Sequence, residues 1–122
     1  MGVNTLAYRL PQNGAFYMVD ADCVGILKQN IPWSLNRQWL HLLAVSGSPL
    51  FVSAQPAALT EEMKGDLRRA WAVNSVQNDT AEPLDWMYNT TPEKWCINGR
   101  VETFDWVQEN WPSMLWEYTQ RC

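Results

Sequence analysis

The chain is short of the residues that build metal centres. It has one histidine, His41, and three cysteines, Cys23, Cys96 and Cys122, no two of them in a Cys-x-x-Cys spacing. A zinc site needs several clustered nitrogen or sulfur ligands, so no metal site is expected, and no cofactor. Three scattered cysteines also argue against a disulfide framework and make a reducing compartment the simpler expectation. Basic residues are scarce: nine Lys and Arg face thirteen Asp and Glu, for a net charge of −4 and a pI near 4.8. A nucleic-acid surface needs clustered cations, so nucleic acid is not an expected partner. The one close basic pair, Arg68-Arg69, fits a solvated helix end. The opening "MGVNTLAYRL" lacks the basic and apolar regions of a signal peptide, and Leu6 breaks the myristoylation pattern. Read as complete, the chain would stay in the cytoplasm. No apolar run approaches the roughly 20 residues that cross a bilayer, so no membrane partner is expected. There is no internal repeat and no low-complexity segment.

With 47% hydrophobic and 18% charged residues over 122 positions, the chain has the composition of a single globular domain. Tryptophan is the abundant rarity: eight, five of them after residue 85. Trp suits cores, interfaces and sugar-stacking platforms, and packing is the expectation for most of them.

The run "AFYMV", residues 15–19, introduced by "PQNG", reads as a buried strand with Asp20 and Asp22 just past its carboxyl end. From Pro32 to Ser46 the period becomes helical, with Leu35, Trp39, Leu42 and Leu43 on one stripe and Gly47 after the last turn. "LFVSA", residues 50–54, is a second strand. A second helix is expected from Glu61 to Val73, capped by Thr60 and packing Met63, Leu67, Ala70 and Trp71, with Gly65 as a weak point. Strand, helix, strand, helix with short links is the order of an α/β fold with parallel strands. The character shifts near residues 75–83. Beyond it, Asn98-Gly99 predicts a type I′ turn in a β-hairpin over 94–106. A short helix is expected from Ser113, after Pro112, in the Trp-rich tail.

In α/β sheets, sites form at the carboxyl ends of parallel strands, where Asp20 and Asp22 are expected to sit. Alternation along a strand would point both carboxylates the same way. One Asp-x-Asp does not make a metal site, and the pair fits a substrate contact or a turn.

Spacing adds to this. "DADCVG", "IPWSLNRQWLHLLAVSG", "SPLFVSAQ" and "LTEEMKGDLRRA" together resemble the C-terminal part of the α-galactosidase (melibiase) barrel, a family of retaining glycoside hydrolases on a TIM-type fold. In that family a strand ending in Asp-Pro-Asp-Met is followed by a glycine, a helix, a strand reading Pro-Leu-Phe-x-Ser, and a last helix. Asp20-Ala21-Asp22-Cys23 with Gly25, and Pro49-Leu50-Phe51-Val52-Ser53, stand for the two motifs, and the resemblance spans residues 15 to 73. It implies that Asp22 and Cys23 line a sugar pocket, with Asp20 in support. Ala21 and Cys23 depart from the family's proline and methionine, and Ala54-Gln55 from its Asn-Asp. The resemblance implies a partial (β/α)8 barrel comprising its last two βα units. A whole barrel takes about 250 residues. The nucleophile and acid/base, which retention sets about 5–5.5 Å apart, would then lie on earlier strands outside this chain.

Four residues therefore stand as substrate-binding candidates: Asp20, Asp22, Cys23 and Trp33. Trp33 either shelves a sugar ring or packs on the helix start. Cys23 fits a pocket wall better than a catalytic thiol, since no histidine is near it in sequence. His41 borders the first helix's stripe, packed or at the surface. The sequons at Asn78 and Asn89 matter only in a secretory pathway. The expected function is a glycoside hydrolase-like wall of a sugar pocket, without hydrolysis by the isolated chain. Carbohydrate is the expected ligand, with either a missing N-terminal barrel segment or self-association covering the open sheet. The alternative is a non-catalytic carbohydrate-binding or protein-interaction module.

Overall fold

The computed structural model of the chain describes residues 2–28, 31–76, 81–107 and, as backbone, 120–121. The order of elements is α1 (Gly2–Arg9), β1 (Cys23–Ile26), α2 (Trp33–Val45), β2 (Phe51–Ala54), α3 (Glu61–Asn74), β3 (Glu82–Pro83), β4 (Lys94–Ile97), β5 (Arg100–Thr103) and β6 (Gln120–Arg121). Short 3-10 turns cover Leu10–Gln12 and Pro56–Ala58. The described residues form a mixed α/β arrangement with two sheets. β1 and β2 pair in parallel, Cys23 opposite Phe51 through Ile26 opposite Ala54. β3-β4-β5-β6 form an antiparallel sheet.

The first strand lies seven or more residues later than the apolar run at 15–19 suggested. β2 offers four residues, and its register takes Cys23–Ile26, which leaves residues 15–19 without a ladder partner. They form a turn instead. Gly14, at φ 76°, closes it; its N–H donates to the Tyr17 carbonyl (2.8 Å), and the Val19 N–H donates to Asn13 Oδ1 (2.9 Å). Phe16 is 85% exposed and Met18 71%, and of the run only Val19 is buried in the core.

The core centres on α2, where every residue from Leu40 to Ser46 is buried. One stripe does not account for that, because the helix is covered on several sides: α3 and β1 pack on it, and the hairpin of β4 and β5 reaches it through polar contacts. His41 is therefore a core residue, with Nε2 2.6 Å from Glu102 Oε2 of β5. Gln38, also buried, donates to the Asp105 carbonyl (2.6 Å) and accepts from the Asp105 N–H (2.8 Å). Buried polar groups require such partners, and these join the two halves of the chain.

α3 begins as expected: the Met63 N–H donates to Thr60 Oγ1 at 3.2 Å. Its buried residues are Asp66, Leu67 and Ala70, while Trp71 is 48% exposed instead of packed. The helix continues to Asn74, so Arg68 and Arg69 lie inside it and not at its end, and Arg69 pairs with the buried Asp66 carboxylate.

Asn98 and Gly99 both hold positive φ, 48° and 76°, and close the β4–β5 hairpin. Trp95, Ile97 and Phe104 bury its inner face. The Trp95 and Trp106 indole N–H groups both donate to the Pro92 carbonyl, at 2.9 and 2.8 Å. Cys96 is disulfide-bonded, against the expectation from cysteine spacing, and Cys23 is a free thiol. The helix expected from Ser113 lies outside the described residues, as does the Asn78 sequon.

Candidate functional site

α1 was not anticipated, yet it builds one wall of a groove. Val3, Leu6, Ala7 and Leu10 recur at helical spacing; Leu6, Ala7 and Leu10 are buried, and Pro11 ends the pattern. That leaves Thr5 and Arg9 along the groove wall. The facing wall is the segment from Tyr17 to Asp22, and the groove encloses about 460 Å³.

The two aspartates meet there, in an arrangement set by a turn and not by strand alternation. Asp20 Oδ1 accepts from the Asp22 N–H (2.9 Å), and Asp22 Oδ1 accepts from the Cys23 N–H (2.8 Å). Asp22 is left-handed, at φ 69°, a conformation that Asp and Asn tolerate better than most residues. Both residues are exposed, each with one carboxylate oxygen held by backbone, and the Asp22 carboxylate also meets the Cys23 thiol. The Arg9 guanidinium forms no ion pair among the described residues. Two acceptor carboxylates, a fork of donors, the Thr5 hydroxyl and the Tyr17 ring thus share one groove. Tyr17 is steadied by a hydrogen bond from its hydroxyl to Gln12 Oε1.

The location corrects one expectation. Asp20 and Asp22 precede β1, so they lie at its amino end and not beyond its carboxyl end. Of the other two candidates, Cys23 falls just past the groove wall. Burial pushes its thiol pKa up, and the neighbouring Asp22 carboxylate pushes it further, through its charge and a hydrogen bond. The thiol is held protonated, the reverse of what a nucleophile needs. Trp33 is away from the groove, its indole N–H donating to Asp66 Oδ2 at 2.9 Å. It anchors the start of α2 to α3, in a network where Arg37 bridges Asp66 (3.9 Å) and Glu62 (3.3 Å).

Chemically, the groove can accept and donate hydrogen bonds to a polyhydroxylated ligand. It does not carry the opposed carboxyls of a retaining glycosidase: both aspartates come from one segment, and one oxygen of each is committed to backbone. No cluster of three metal-ligating side chains occurs among the described residues. No helix among them is long and apolar enough to cross a membrane. Sequence reasoning missed Thr5, Arg9 and Tyr17, although the apolar spacing of Val3 to Leu10 held the signal for the helix that carries two of them. No family model, curated protein or solved structure matches the chain.

Proposed function

We propose that the chain is a carbohydrate-recognition unit whose groove takes a sugar without cleaving it. One observation carries this reading: Asp20, Asp22 and Arg9, all with hydrogen-bonding capacity to spare, converge with Tyr17 on a groove of about 460 Å³. Sugars are bound by such paired acceptors and donors beside an aromatic ring. The test is titration of the chain with galactose, followed calorimetrically. Asp22→Asn keeps a residue that tolerates the left-handed backbone but removes the charge, and should weaken binding about tenfold. No binding, or binding indifferent to Asp22→Asn, would overturn the reading.

The second reading is the glycoside hydrolase-like one, with this chain as one wall of an α-galactosidase-like barrel and the catalytic carboxyls on another segment. It is favoured by the order β1-α2-β2-α3 with parallel pairing, and by β2, whose Phe51 is 52% exposed as if awaiting a neighbour. The amino-end position of the aspartates weighs against it. On either reading the purified chain turns over no nitrophenyl α-galactoside. Measurable turnover lost in Asp22→Asn would contradict both.

A further inference from the structure

Beside the groove, on the adjoining face of α1, lies an aromatic surface that the groove does not use. Tyr8 and Trp86 meet edge to face, ring centroids 5.6 Å apart at 88°, and stay 44% and 40% exposed. An edge-on contact covers one face of one ring only, so open ring faces remain. The loop that carries Trp86 is pinned from within. Buried Asp85 accepts from the Lys94 N–H (3.0 Å), the Glu93 N–H (3.1 Å) and Asn89 Nδ2 (3.1 Å), and its carbonyl accepts from the Asn89 N–H (3.0 Å). Asn4 Nδ2 donates to the Thr90 carbonyl and ties α1 to the same loop. Met87 and Tyr88 stand further out, 76% and 82% exposed. A loop so constrained holds large apolar side chains in water without burying them, which marks a binding surface.

Its position names the ligand class. Tyr8 follows Thr5 by three residues on α1, so their side chains are neighbours, roughly 5–6 Å apart at Cβ. Thr5 lines the groove. The aromatic pair therefore stands one helical turn from a groove rich in hydrogen-bonding groups, as the apolar face of a second sugar ring requires. We propose that the Tyr8–Trp86 pair is a second sugar subsite, on which the next residue of an oligosaccharide stacks while its terminal sugar occupies the groove. This rests on the groove being a sugar site.

The experiment compares galactose with the galactose-containing tetrasaccharide stachyose, using the full chain, Trp86→Ala and Asp22→Asn. The unmodified chain should bind stachyose about five- to tenfold more tightly than galactose, the gain expected of one stacked ring. Trp86→Ala should erase that gain and leave galactose binding within about twofold. Trp86→Phe should keep part of it, which separates stacking from loss of fold. Asp22→Asn should weaken both ligands. If galactose binds but stachyose gains nothing, or keeps its gain in Trp86→Ala, the subsite falls and the groove stands. If stachyose binding depends on Trp86 while galactose does not bind at all, the groove reading falls and the platform stands. If neither binds, both fall.

Discussion

The parallel half of the molecule and its antiparallel half solve the same problem differently. The β4–β5 hairpin is local: four residue pairs, a two-residue turn and an inner face sealed by Trp95, Ile97 and Phe104. The β1–β2 pair is joined only through α2, and its second strand is largely exposed. Parallel pairs are seldom stable without cover on both faces, so this half depends on α2 and on what α2 touches. The contacts His41–Glu102 and Gln38–Asp105 place the hairpin behind that helix. The two sheets are thus tied through α2, by a buried contact at His41–Glu102 and a part-buried one at Gln38–Asp105.

Substitutions should break this dependence in graded steps. The largest effect is expected from Trp95→Ala, which empties the hairpin core and should cost about 3–5 kcal/mol. If the halves are coupled, urea unfolding followed at β1 and at the hairpin will still show one transition; two separated transitions would uncouple them. Glu102→Ala leaves buried His41 without its carboxylate and should cost about 3 kcal/mol. The double change His41→Leu, Glu102→Leu should recover most of that loss, since a packed apolar pair replaces a buried polar one. No recovery would mean the pair is worth more than the packing that replaces it.

Removing the Thr60 cap with Thr60→Ala is a smaller step, about 1 kcal/mol, read as a lower urea midpoint with unchanged slope. A loss well above that would make α3 more central than its exposed Trp71 suggests. Smallest in energy, but specific to the site, is the Cys23 thiol. Its pKa lies above the ordinary cysteine value because of burial first and Asp22 second, so thiolate forms only at higher pH than in a free peptide. Alkylation by iodoacetamide should be slow at neutral pH and rise in the alkaline range. Asp22→Asn removes a charge that disfavours the thiolate and should move that rise to lower pH. A shift to higher pH would contradict the geometry around Asp22.

Local signals were legible in the sequence, and long-range ones were not. Asn98-Gly99 announces its turn because the backbone there requires positive φ at both residues. Thr60 announces α3 because a cap is a contact across three residues. The "AFYMV" run misleads because apolarity alone does not say whether a ladder partner exists, and β2 pairs elsewhere. The burial of His41 and Gln38 depends on a hairpin about sixty residues away. For the site, Asp20 and Asp22 stood out as a pair, but Arg9 and Thr5 needed α1 to be seen as a helix. Trp33 looked like a sugar shelf because nothing in its neighbourhood revealed Asp66, thirty-three residues on.

The most direct test of the groove is an amide-resolved NMR titration with galactose. The account predicts shifts concentrated at Thr5, Arg9, Tyr17, Asp20 and Asp22, weakened throughout in Asp22→Asn. Shifts centred instead on the separate cleft that Val3, Leu35, Trp39 and Trp106 line, or no shifts at saturating sugar, would contradict it.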